Sequence, residues 1–171
     1  PVGAYEYFAR SAHSDIIDVA VIGPAESEFV TPGNVYLYPL MTGGILPTQE
    51  ILDAVFDVCN AEEIRPDTDF LHVEAPCEVK YNLEVVFFID RKRATQAAQI
   101  QTAVNSAIYS WLTWQKSKLG RDINPSELNH RIIAAGAKRA EIIEPEFTIL
   151  KLWEIAIENS VKITFGGLED G

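Results

Sequence analysis

At 171 residues, with 47% hydrophobic and 23% charged side chains, the chain has the make-up of one larger or two small globular domains, not of a disordered or fibrous polymer. Fourteen basic residues face 25 acidic ones, and the net charge of -11 speaks against a nucleic-acid backbone or an anionic membrane surface as partner. The two cysteines, Cys59 and Cys77, form no metal or redox spacing, so free thiols in a reducing compartment are expected over a disulfide.

The chain opens Pro1-Val2-Gly3 instead of on Met, which reads as a trimmed chain or a piece of a longer protein. From Gly3 to Ser14, Tyr5, Phe8, Ala9 and Ala12 recur at helical spacing and predict a short amphipathic helix. Ile17, Val19 and Val21 alternate as a strand that ends before Gly23-Pro24. After the turn chemistry of Thr31-Pro32-Gly33-Asn34, Val35 to Tyr38 reads as the returning strand. Pro39 cannot donate a ladder hydrogen bond, so that strand should end there or lie at an edge. A second helix is expected from Pro47 to about Asn60, with Ile51, Leu52, Val55, Phe56 and Cys59 on one face and Pro47 in its first turn. A strand from about Phe70 to Glu74 follows.

Pro76 marks the expected internal boundary. Beyond it Tyr81, Leu83, Val85, Phe87 and Ile89 form one face of a strand, while Val86 and Phe88 make the opposite face apolar as well. The basic triplet Arg91-Lys92-Arg93 reads as a solvated loop before the longest helix, Ala94 to Lys118. Ile100, Val104, Ala107, Trp111 and Trp114 form its seam, and Gly120 its stop. Asn124-Pro125-Ser126-Glu127 opens another helix, with a capping side chain, Pro at the first position and Glu able to return to the cap. Strands are expected at Ala140 to Ile143, around Trp153 to Ile157 and at Val161 to Phe165.

A helix, a strand, a proline and a returning strand occur near residues 4–40 and again near 126–165. The expected fold class is α+β: two small plait-like units, each a mixed or antiparallel sheet with helices packed on one face. The division falls at 1–76 and 77–171.

Catalytic chemistry finds little support. His72 and Glu74 share one strand face, and His13 and Asp15 are also two apart, but a zinc site needs three or four converging ligands. There is no Gly-x-Ser-x-Gly elbow, no Cys–His signature and no phosphate-binding glycine loop. No catalytic residue, no metal and no cofactor are expected.

Three strings carry a family resemblance. Asn60-Ala61-Glu62-Glu63-Ile64-Arg65-Pro66-Asp67-Thr68-Asp69 after a helix, then Leu71, Val73 and Pro76, is similar to the signature of the baseplate J-like protein family. Tyr5-Glu6-Tyr7-Phe8-Ala9 with Ile17-Asp18-Val19-Ala20-Val21 resembles the family's opening helix and strand. Leu119-Gly120-Arg121-Asp122-Ile123-Asn124-Pro125-Ser126-Glu127-Leu128 resembles its Leu-Gly-Arg-Asp run. Asp67, where the family has an apolar residue, and Ala135-Gly136-Ala137 depart from the pattern, and the match weakens after Phe147.

The resemblance implies the middle and C-terminal portions of a wedge component of a contractile-tail baseplate. Its implied partners are other wedge proteins, with a second copy of the chain as a further candidate, and neither nucleic acid nor membrane. Its implied place is the virion tail baseplate, assembled in the bacterial host cytoplasm. A bacterial contractile injection system and a stand-alone ligand-binding module are the alternatives. Arg65 and Asp69 read first as loop anchors and second as an intersubunit ion pair. Arg121 and Asp122 read the same way. Trp111 and Trp114 read as core with an interface option. Val86 and Phe88 are the foremost interface candidates, because helices should cover only the other face of their strand.

Overall fold

The computed structural model describes residues 2–61, 63–66 and 68–171, with the backbone alone at Val2. Its elements are α1 (Val2–Ser11), β1 (Ile16–Ile22), β2 (Asn34–Met41), α2 (Gln49–Cys59), β3 (Phe70–Val73), β4 (Cys77–Asp90), α3 (Ala97–Gln115), α4 (Pro125–Ala134), β5 (Arg139–Glu144) and β6 (Glu154–Glu169). The fold is α+β, with two three-stranded mixed sheets and helices packed on one face of each. Residues 1–78, 117–120 and 151–155 form one compact unit, and 79–116, 121–150 and 156–171 the other.

In the first unit the strand order is β1-β2-β3, antiparallel between β1 and β2 and parallel between β2 and β3. Because side chains alternate across a strand, Val19, Val21, Leu37, Met41 and Leu71 share one face. There they meet Tyr5 and Ala9 of α1 and Val55 and Cys59 of α2. Thr48 occupies the N-cap position of α2, so Pro47 lies before the helix and not in its first turn. Phe56 is 38% exposed, on the flank of the stripe made by Leu52, Val55 and Cys59.

Pro39 does not end its strand. β2 continues to Met41 as the central strand, with Pro39 opposite Val19. The tolerance has a local cause: β3 pairs only with Asn34 to Leu37, so β2 has a strand on one side alone by the time it reaches Pro39.

In the second unit β4 lies between β5 and β6 and is antiparallel to β5. Ser160 bonds Asn82, Lys162 pairs with Glu84, and Gly166 abuts Phe88. These contacts advance in step along β4 and β6, as in a parallel pair. Tyr81, Leu83, Val85, Phe87 and Ile89 are all buried, against Ile100, Val104, Ile108, Trp111 and Leu112 of α3 and Leu128 and Ile132 of α4. Each large apolar side chain so buried contributes about 1.5–3 kcal/mol.

The seam of α3 differs from the expected one: Ile108 and Gln115 are buried where Ala107 and Trp114 were predicted. A strict 3.5-residue repeat drifts around a straight helix of 3.6 residues per turn, so over the roughly four turns from Ile100 Trp114 reaches the flank. The helix stops at Gln115, preceded by a 3-10 turn at Arg91–Gln96, and Gly120 serves the following loop with a φ of 71°. The Asn124 side chain caps α4 by accepting from the Ser126 and Glu127 N–H groups, while Glu127 pairs forward with Arg131 at 3.0 Å.

The two expected C-terminal strands are one 16-residue strand, β6. The polar stretch Glu158-Asn159-Ser160 resembles a turn, but Asn159 and Ser160 both bond Asn82 of β4 and stay extended. The internal symmetry also fails at the level of topology: β1 and β2 pair with each other, whereas β5 and β6 flank β4.

Candidate functional site

The loop after α2 is held from within its own unit. The Arg65 guanidinium donates to the Asp69 carbonyl at 2.7 Å and to that of Pro66 at 3.4 Å, and the Asp69 N–H also returns to Pro66. The Asp69 carboxylate accepts from the Tyr5 hydroxyl of α1 at 2.8 Å. Burial, followed by that carboxylate, pushes the Tyr5 hydroxyl well above the usual phenol range, so it remains a donor. Arg65 and Asp69 therefore tie helix, loop and strand together. Glu62 and Asp67 of the same string lie outside the described residues.

The opposite face of the first sheet carries a row of rings. Tyr36 stacks on His72 at 4.3 Å, with Tyr38 6.4 Å further along and Trp153 6.3 Å beyond it. His72 also shares a 3.0 Å hydrogen bond with Asn34, and His13 accepts the Asp15 N–H, so both histidines have local uses. Among the described residues no group of three or more His, Cys, Asp or Glu could hold a metal ion, and no helix is long and apolar enough to cross a membrane. Burial pushes the Cys59 thiol up to about 11, which leaves it a protonated apolar filler.

In the second unit the loop between α3 and α4 converges on a buried amide. The Gln115 side chain is fully buried; its Nε2 donates to the carbonyls of Arg121 and Asp122, at 3.1 and 3.0 Å, and its Oε1 accepts from the Asn124 N–H at 3.3 Å. Asp122 accepts from the Leu150 N–H at 2.9 Å. Arg121 donates to the Trp114 carbonyl and lies 4.2 Å from the centre of its ring. Trp111, fully buried, donates its indole N–H to the Asn124 carbonyl at 3.2 Å. Four of the residues singled out in the sequence thus meet around a fifth that was not.

Val86 and Phe88 lie on the other side of the second sheet, away from the helices, and both are half-buried. The Arg139 guanidinium sits 4.0 Å over the Phe88 ring. Gly166 of β6 makes room for that ring, because a Cβ there would come within 2.5 Å of it. Glu169 binds Arg139 through contacts of 2.6–3.1 Å and Lys138 at 3.2 Å. Hydrogen bonds from these two cations hold the Glu169 carboxyl down at about 2. Part of the cover over Phe88 is therefore supplied by its own unit.

Two domain models match this chain in succession: the baseplate J-like central domain over residues 1–75, and the baseplate J-like protein C-terminal domain over 81–164. The chain belongs to the baseplate J-like family. It is similar to baseplate protein J of Escherichia phage P2, 27% identical over 146 residues. That match takes in 84% of this chain and 45% of the phage protein, so the chain spans about half the length of this relative.

Two of the strings that carry the resemblance supply polar anchors. The central-domain string supplies Arg65 and Asp69, and the Leu-Gly-Arg-Asp run supplies Gly120, Arg121 and Asp122. Ala135-Gly136-Ala137, which departs from the family pattern, still ends α4: Gly136 has a φ of 118°, and a side chain there would press on Ile100 at 3.2 Å. Gln115 could have been found from sequence. It stands four residues after Trp111 and seven after Ile108, on the buried stripe, where a polar residue must find partners.

Proposed function

We propose that this chain is a structural part of a phage or prophage tail baseplate, contributing assembly contacts within the wedge and no catalytic step. The carrying observation is the succession of central and C-terminal baseplate J-like domains across residues 1–75 and 81–164. The relative named baseplate protein J supports the same reading. Its site of action is then the virion tail, with assembly in the host cytoplasm, and its partners are other baseplate wedge proteins. The geometry agrees physically, since polar side chains are spent on fixing loops and rings on packing, which is what a rigid scaffold requires.

Within that role, Val86 and Phe88 are the proposed contact residues on the open face of the second sheet. Phe88→Asp places a carboxylate beside Arg139, where it gains an ion pair, so the isolated fold should persist while the apolar contact is lost. Complementation with this variant should give fewer tails carrying a complete baseplate. Normal incorporation would remove Phe88 from the interface. Failure to find the chain itself in purified tail baseplates by mass spectrometry would defeat the role.

A further inference from the structure

A sheet edge left open is a template for another strand, and natural proteins blunt such edges by shortness, charge, proline or bulges. Three of the four edges here follow that rule. β3 has 4 residues; β1 has 7 and an irregular register between Ile16 and Asp18; β5 has 6, carries Arg139, Glu141 and Glu144, and runs into Pro145. β6 does not. Its 16 residues hold no proline, its charges Glu154, Glu158 and Glu169 lie toward the two ends so that Lys162 is the one charge from Asn159 to Gly167, and among the described residues its only strand neighbour is β4. Its helix-side residues Val161, Ile163 and Phe165 pack on the core yet are only half-buried, whereas the equivalent residues of β4 are buried. The flank is short of cover along the length of strand that is open.

We propose that β6 pairs antiparallel with β6 of a second copy of this chain, about a two-fold axis perpendicular to the sheet at Ile163. The register follows from chemistry. Such an axis sets Ile163 against its own copy and Val161 against Phe165 twice, so the half-covered apolar row closes on itself. It sets Lys162 opposite Thr164. Centring on Lys162 would oppose two like charges, which is destabilising, and centring on Thr164 would set Val161 against Gly167 with no apolar partner. The regular stretch also fits: four residues either side of Ile163 are Asn159, which bonds Asn82, and Gly167, whose φ of 112° interrupts the extended backbone inside β6 before the strand runs on to Glu169. The pairing joins two three-stranded sheets into one of six strands with all helices on the same side, a closed two-fold contact. It stands on strand chemistry and does not depend on a baseplate role.

Charge at position 164 tests the pairing without touching the core, since Thr164 is exposed. Sedimentation equilibrium of the 171-residue chain should show a monomer–dimer equilibrium. Thr164→Glu faces Lys162 of the other copy twice and should tighten it by roughly threefold to tenfold, and Thr164→Lys should weaken it by a similar factor. Adding Lys162→Glu to Thr164→Lys should restore the dimer. A chain that stays monomeric at 100 μM (chosen as roughly a hundred times a weak micromolar Kd) overturns the proposal. So does a dimer indifferent to both substitutions, or a β6 protected from amide exchange only after a different protein is added.

Discussion

The two sheets solve the same problem differently. In the first unit both faces are furnished: α1 and α2 cover one, and the row Tyr36, Tyr38, His72 and Trp153 occupies the other. In the second unit only the helix face is apolar throughout, and the other face keeps Val86 and Phe88 under an Arg139–Glu169 ion pair. The lesson is that an apolar strand face is not by itself a sign of burial between layers. A guanidinium stacked over a ring, with a glycine beneath it, lets the ring face water at modest cost.

The largest expected effect breaks the helix layer that the second sheet depends on. Trp111→Ala removes a fully buried indole and its bond to Asn124, and should cost about 3–5 kcal/mol, read as a fall in the urea midpoint. A change below about 1 kcal/mol would mean the layer repacks freely. Next comes Gln115→Leu. It keeps the volume but strands two carbonyls and one N–H, and should cost about 3 kcal/mol, as each unmet buried group costs on the order of 1–3 kcal/mol. Gln115→Glu should be worse still, because a carboxylate has no donor for those carbonyls.

In the first unit, Tyr5→Phe deletes only the bond to half-buried Asp69 and should cost about 1 kcal/mol. Amide exchange should speed up in residues 63–65 and 68–70 and not in β5 or β6; uniform acceleration would show that the loop is not locally anchored. The smallest effect concerns the open face. Glu169 is held at about 2 in the folded protein against about 4.3 when unfolded. Its stabilisation is complete above the unfolded value and fades as pH falls from about 4.3 to about 2. Glu169→Gln should flatten that part of the acid profile, and added salt should shrink it in the wild-type chain.

Much of this was legible in the sequence because periodicity reports burial directly. The alternation from Tyr81 to Ile89 became the buried face of β4, and Asn124-Pro125 became the cap of α4. What escaped depends on contacts distant in sequence. β6 looks interrupted at Asn159-Ser160 until Asn82 is placed beside it. Pro39 looks like a stop until the short reach of β3 is known. At the candidate sites, residue types identified Arg65, Asp69, Arg121 and Asp122, but not the partners they hold. Arg121 and Asp122 present their carbonyls to Gln115, and no side-chain pattern announces a carbonyl.

The first unit takes two segments from late in the chain, and this shapes its synthesis. A ribosome delivers residues 1–78 first, with α1, α2 and β1–β3 all present. At that moment Asp18 still lacks the Leu119 amide that it will bind at 2.8 Å, and Tyr38 has no Trp153 to stack upon. Residues 1–78 therefore emerge well before their unit is finished, which happens only after residue 155 leaves the exit tunnel. A nascent chain halted before that point should remain sensitive to protease in residues 1–78, and should become resistant in a single late step.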